Sequence, residues 1–473
     1  MEWGKVLCAE RVRSHQHVDP RELRSEFARD YHRIINSASF RRLQDKTQVF
    51  PLDSSDFVRT RLTHSLEVSS IARSLGQNVG EAITCDIKDP DFLPEYKAYI
   101  CDILQCAGLI HDIGNPPFGH FGETTIREWF LKNLPHLSLC GSPLEEVLSE
   151  EMKNDFYHFE GNAQAFRLVT RLHFLVDSNG MNLTKGLLGT IIKYPVSSLE
   201  IEENGDDIRS HKMGYFRADR ETFRDVQTAT GTNGARHPLS FLLEAADDIA
   251  YITADIEDAY KKRYLSYEDL TRDLKIYKDA GGLSPEEVER FGELIEVLGE
   301  KYRKAGDRGL QDPGEYAVQN WIVTLQRRAI NAVTDAFMNN YEAIMAGQMK
   351  RTLVSCSTMN PMLEALYGIE TKYVFKSRPI FRHEIAEEVI MDFLLDKFVD
   401  AAVPYDTELP MNAVQKRIIG IISENYMQIY HKYSEGRSEA EKLYLRLILV
   451  TDYICGMTDT FAKSLYQELS GTD

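Results

Sequence analysis

Cysteine occurs only at positions 8, 85, 101, 106, 140, 356 and 455, never as CxxC. That pattern offers neither a disulfide framework nor a thiolate zinc site, so a reducing cytoplasm is the expected setting. No apolar run reaches membrane-spanning length, and the stretch 443–450 is interrupted by Arg446. The N-terminal MEWGKVLCAERVRSHQ contains no signal-peptide apolar segment. Positive charge is the minority sign: 55 Lys and Arg against 73 Asp and Glu give a net charge of -18. This argues against general attraction to nucleic acid or to an anionic membrane, and leaves nucleic-acid binding an open question. A polyanionic ligand would need a local cluster of Arg and Lys. GxxxxGK[ST] is absent, which removes P-loop chemistry. Internal repeats and low-complexity tracts are also missing.

What remains is an ordinary globular composition, with 43% hydrophobic and 10% aromatic residues over 473 positions. Helical periodicity dominates it. Apolar spacing predicts helices over 62–79, 96–113, 161–176 and 239–260. Ser284-Pro285-Glu286-Glu287 combines an N-cap, a first-turn proline and a capping-box acid, and predicts a helix running to about Lys304. Long helical patterns follow at 315–348, 380–402, 411–432 and 437–468. The weakest helical signal lies between Pro195 and Thr232, where Ser198-Leu199-Glu200-Ile201-Glu202 reads as a β-like piece of a loop or hairpin. The expected architecture is all-α: a helical core over 1–275 with a small β-like insertion, and a C-terminal helical region over 276–473. The soft boundary is placed near Lys278-Asp279-Ala280-Gly281-Gly282.

Within this frame one stretch stands out. Leu109-Ile110-His111-Asp112-Ile113-Gly114-Asn115-Pro116-Pro117-Phe118-Gly119, followed by His120, carries two metal-type ligands at the end of a buried helix. The Pro-Pro pair cannot continue that helix. Adjacent helical side chains diverge by about 100°, so His111 and Asp112 can share one cation only at such an end. A second candidate, His64, opens a helix directly after Arg59 and Arg61. A third lies in Glu244-Ala245-Ala246-Asp247-Asp248-Ile249-Ala250-Tyr251, where acids interrupt an apolar helix. Buried charge is costly unless paired or ligated, so at least one of these acids must meet a partner inside. Asp247, Tyr251 and Asp255 share a face at i, i+4, i+8, while Asp248 lies about 100° round. Two His and two Asp form a donor set suited to one first-row divalent ion, with positions left for a phosphate oxygen and water.

The series His64, His111-Asp112, Asp247 resembles the H…HD…D signature of the HD-domain phosphohydrolase superfamily. Beyond it, 40–51 (FRRLQDKTQVFP), 59–65 (RTRLTHS), 159–164 (FEGNAQ) and 243–251 (LEAADDIAY) resemble deoxyguanosine triphosphate triphosphohydrolases. These blocks span roughly residues 30–260. The resemblance implies a helical HD core and metal-dependent release of deoxynucleoside and tripolyphosphate from a deoxynucleoside triphosphate, dGTP favoured, by attack at the α-phosphorus. It implies His64, His111, Asp112 and Asp247 as ligands of one divalent metal, Mn, Mg or another first-row ion. Asp247 is chosen over Asp248 because the family's substrate-facing Tyr follows its ligand by four residues, as Tyr251 does here. His120 and Glu123 match the catalytic His and its carboxylate. Arg61 and Lys193 match phosphate-binding positions, with Tyr194 beside them. Gln48 matches a position near the base, Tyr251 one under the sugar and Asp255 one at the 3′-hydroxyl. Asn115 stands where some relatives carry a second His. A homo-oligomer and a regulatory nucleotide are further partners the resemblance suggests. The alternatives are an HD phosphodiesterase for cyclic or alarmone nucleotides, and a non-catalytic nucleotide sensor.

Overall fold

The computed structural model describes residues 1–13, 21–49, 58–173 and 180–472. It is an assembly of helices, and among the described residues the strands are Ser138–Leu139 and Ser142–Pro143. These pair antiparallel across Cys140 and Gly141, both with positive φ, as a two-residue hairpin turn requires. Among the described residues, no helix is long and apolar enough to cross a membrane.

The His64 helix spans Arg61–Ala82. Thr60 caps it, exchanging hydrogen bonds with Thr63, and Val68, Ile71, Ala72, Leu75 and Val79 face inward. Against it lies the His111 helix, Tyr96–Ile110. A methyl group at Gly108 would sit 2.6 Å from the backbone of Ser69, so only glycine permits this close crossing. The Asp247 helix, Pro238–Lys261, starts on the helix-compatible proline and buries most of its length against both. Full burial of each such Leu or Ile contributes about 1.5–3 kcal/mol before entropy is counted.

Helices Pro285–Asp307, Pro313–Asn339 and Asn360–Glu370 pack outside these three. The Ser284–Glu287 capping box is present. Residue 275 falls inside the helix Tyr267–Asp279, and one apolar cluster runs from Trp3 through Leu270 and Leu298 to Ile380. A second cluster joins Phe118, Ile126 and Phe130 to Leu394, Phe398, Leu447 and Ile454. Ile113 belongs to the first cluster and Phe118 to the second. The loop after His111-Asp112 therefore crosses between two cores.

The segment 195–232 differs from expectation. It contains no strand; turns lead into the helix Arg220–Thr230. Around the expected β-like piece, the Ser197 amide and hydroxyl both bond Glu200 Oε2, at 2.9 and 2.6 Å, and Ser198 Oγ bonds Asp155 at 2.6 Å. Local side-chain bonds of this kind replace the ladder a strand would need. The helix from Gly161 ends at Arg167 in a wider turn, Leu168–Leu172; residues 174–176 lie outside the described residues. The 411–432 and 437–468 patterns are each two helices, Ala413–Ile421 with Glu424–Ser434 and Glu439–Cys455 with Asp459–Ser470.

Candidate metal centre and catalytic loop

Three helices converge on one point. The ligand atoms of His64, His111 and Asp247 all lie within 4.8 Å of one another. Asp247 Oδ1 sits 3.1 Å from His64 Nε2 and 3.3 Å from His111 Nε2. His111 Nδ1 lies 2.9 Å from the Gly108 carbonyl, which can only accept. That fixes the proton on Nδ1 and turns the Nε2 lone pair inward, the arrangement a metal-ligating imidazole adopts. His111 Nε2 is buried with no hydrogen-bond partner, as is His64 Nδ1. The inward lone pair of His111 Nε2 beside a carboxylate fits a divalent ion better than it fits a dry core.

Asp112 joins from the side. Its Oδ2 is 3.6 Å from His111 Nε2 and is ion-paired to Arg61, while Oδ1 accepts from Asn115 Nδ2 at 2.9 Å. Burial opposes its charge, but Arg61 and His111 outweigh burial and hold the carboxyl well below its ordinary range. Asp247 is likewise held low despite burial, by Lys193 and His111, and Lys193 Nζ stands 3.0 Å from its Oδ2. Ser240 Oγ donates to the carbonyls of Thr190 and Ile192 at 2.5 and 3.0 Å, which ties the chain before Lys193 to the Asp247 helix. Asp248 is outside the cluster; burial, Glu244 and Asp247 push it up to about 8.

The loop leaving Asp112 turns through Asn115-Pro116-Pro117 and enters the helix Gly119–Asn133. His120 stands on its first turn with a side chain 74% exposed, and its Nδ1 is 3.2 Å from Glu123 Oε2. Glu123 is buried, and its Oε1 accepts the Gly161 amide at 2.9 Å. The hydrogen bond and charge of Glu123 raise the imidazole pKa, against a smaller effect of burial. In turn Glu123 is brought down to about 2, where His120, Lys212 and Arg127 outweigh burial. Arg61 lies along the same loop: a methyl at Gly119 would meet its Nη2 at 2.3 Å.

Of the residues matched to nucleoside positions, Tyr251 and Asp255 lie on the Asp247 helix and Gln48 follows the helical turn Leu43–Asp45. Tyr251 is half-buried and Asp255 buried, with Asp255 Oδ2 lacking a partner. Gln48 Oε1 is buried and also unpartnered. Tyr194 is half-buried, raised first by burial and countered by Lys193. The structure thus brings His64, His111 and Asp247 together, sets Asp112 beside them against Arg61, and pairs His120 with Glu123. It adds residues the sequence did not single out. Glu370, from the helix Asn360–Glu370, is buried beside Asp255 and Tyr251, and burial pushes it up to about 7. Lys212 Nζ is 3.1 Å from Glu160, on the segment expected to be a loop. Lys46 and Asp459 hydrogen-bond to the loop between Asp112 and His120, at the Asn115 carbonyl and the Phe118 amide. No local motif marks Glu370, Lys212 or Asp459, and the 40–51 block that contains Lys46 does not show what its ammonium meets.

A family model described as HD domain matches residues 61–178. The chain is 46% identical to a deoxyguanosinetriphosphate triphosphohydrolase-like protein of Listeria monocytogenes, with 100% of both chains covered. A protein of the same description from Pseudomonas aeruginosa is 33% identical over 100% of this chain and 99% of its own. A deoxyguanosinetriphosphate triphosphohydrolase of Klebsiella pneumoniae is 31% identical, over 99% of each chain.

Proposed function

The chain belongs to the deoxyguanosinetriphosphate triphosphohydrolase family, and from that premise we propose that it hydrolyses deoxynucleoside triphosphates, dGTP foremost, to deoxynucleoside and inorganic tripolyphosphate. The observation that carries this reading is the convergence of His64, His111 and Asp247 with Arg61 and Lys193 at one point, beside the His120–Glu123 pair. His64, His111, Asp112 and Asp247 would hold one divalent ion, Mn, Mg or another first-row metal. Bound there, such an ion would supply Lewis-acid chemistry for phosphate-ester hydrolysis.

The chain's own groups do the rest. Arg61 and Lys193 neutralise phosphate charge that a protein of net charge -18 would otherwise repel. Tyr194 donates to a phosphate oxygen. Glu123 fixes the imidazole of His120 through Nδ1, leaving Nε2 for the reacting oxygen. Tyr251 lies under the sugar, Asp255 accepts from the 3′-hydroxyl, and Gln48 meets the base. Incubation with each dNTP and NTP and either Mn²⁺ or Mg²⁺ tests the reading. Intact tripolyphosphate from dGTP is expected; release of pyrophosphate or orthophosphate as first product would overturn it.

Close packing around the loop yields a further expectation. A methyl group at Gly161 would lie 2.1 Å from Asn115 Oδ1 and 2.3 Å from Glu123 Oε1. Gly161→Ala must therefore displace Glu123 from His120, or Asn115 from Asp112. Overpacking of this kind costs about 1–3 kcal/mol of stability. Misplacement by an ångström costs about 100-fold in kcat. Denaturant unfolding alongside steady-state kinetics checks both figures, and a variant with unchanged kcat would show that the loop adapts.

A further inference from the structure

The loop that joins Asp112 to His120 is gripped by residues from far outside it. Asp459 is 2% exposed, and its two carboxylate oxygens accept separate backbone amides. Oδ1 takes the Phe118 N–H at 2.9 Å and Oδ2 the Thr47 N–H at 2.8 Å. Beside it, the buried Lys46 Nζ donates to the Asn115 carbonyl at 2.5 Å and to the Cys455 carbonyl at 2.7 Å. Two side chains thus tie both ends of the Asn115–Phe118 turn to the junction of the last two helices.

The turn needs such a tie. Phe118 holds φ +63°, a left-handed conformation that a bulky side chain keeps only when its surroundings impose it. Gly119 follows at φ +61° with Arg61 packed on it, and His120 comes next. Ordinary helix capping does not explain Asp459, because the hydroxyl of Thr458 already caps the Asp459–Ser470 helix through the Phe461 amide. Nor does simple packing explain a buried ammonium aimed at two carbonyl oxygens.

We propose that Asp459 and Lys46 are positioning residues, which lock the Asn115–Phe118 turn from the C-terminal helices and so set where His120 stands. The inference rests on the proposed hydrolysis for its kinetic consequence, but not for its structural one. Full-length Asp459→Ala and Asp459→Asn are compared with Leu465→Ala, which removes a core side chain from the same helix but leaves the acceptors of the Phe118 and Thr47 amides in place. Expected for Asp459→Ala is a kcat about 10- to 100-fold lower with KM nearly unchanged. Asp459→Asn, retaining one acceptor oxygen, should recover part of the loss. Hydrogen exchange at the Phe118 and Thr47 amides should quicken by about tenfold in Asp459→Ala and stay slow in Leu465→Ala. A Phe118 amide that remains protected in Asp459→Ala overturns the proposal. So does a kcat loss in Leu465→Ala equal to that in Asp459→Ala. Were the wild type to hydrolyse no dNTP, the exchange measurement would still decide the clamp, and only the functional reading would fall.

Discussion

Asp247→Asn is expected to remove divalent-metal binding and lower kcat by more than about 1000-fold, whereas Asp248→Asn should keep both within about tenfold. The two acids are neighbours in sequence, but only Asp247 meets His64 and His111, at 3.1 and 3.3 Å. Its second oxygen pairs with Lys193. Losing its charge takes one anionic donor from the metal and also strands a largely buried ammonium. Breaking a buried pair by removing one partner costs about 3–5 kcal/mol, so Asp247→Asn should also unfold more readily. Metal content of the purified variants, calorimetric titration with Mn²⁺ and dGTP turnover measure the three effects. Metal retained at full stoichiometry in Asp247→Asn would remove it from the ligand set. Equal losses in both variants would mean that helix integrity, rather than ligation, is being read.

The contrast between these acids shows what the sequence can and cannot carry. A face shared by Asp247, Tyr251 and Asp255 follows from helical periodicity alone, and the Asp247 helix runs from Pro238 to Lys261, close to the expected 239–260. The starts of the His64 and His111 helices were legible to within a residue, but their ends were not: the first runs on to Ala82 beyond the expected 79, and the second stops at Ile110, short of the expected 113 and before the Pro-Pro pair. Periodicity does not report which partner a side chain takes. Asp112 turns to Arg61 and Asn115 because the loop bends there, a tertiary fact. The β-like reading of 198–202 failed for a related reason: Glu200 bonds the Ser197 amide and hydroxyl, and β-propensity has no term for that. Lys46, Asp459, Glu370 and Lys212 stayed hidden because each reaches the site across long sequence separations. The C-terminal helices were visible as helices, but nothing in their spacing showed that Asp459 would touch Phe118.

His120→Asn should lower kcat by about 100- to 10,000-fold while dGTP binding survives, since the imidazole contributes a proton rather than a phosphate contact. Release of a deoxynucleoside breaks the bond between the α-phosphorus and the 5′-oxygen, and an alkoxide leaves poorly unless it is protonated. An imidazole whose pKa is raised by the hydrogen bond and charge of Glu123 is suited to be that acid. The sign follows directly. Acid catalysis is present below the folded pKa of His120 and lost as pH rises through it, so kcat should carry an alkaline limb set by this residue. Glu123→Gln removes the charge that raises the imidazole pKa, and the limb should move to lower pH. An acid limb that moves instead would assign His120 as the base that activates water. A profile that does not move in Glu123→Gln would separate the pair from the chemistry altogether. The outcome also bears on the proposed clamp, in which Asp459 and Lys46 hold the turn that leads to His120. The pH limb should therefore keep its position in Asp459→Ala while its height falls, as a displaced acid with an intact Glu123 partner requires.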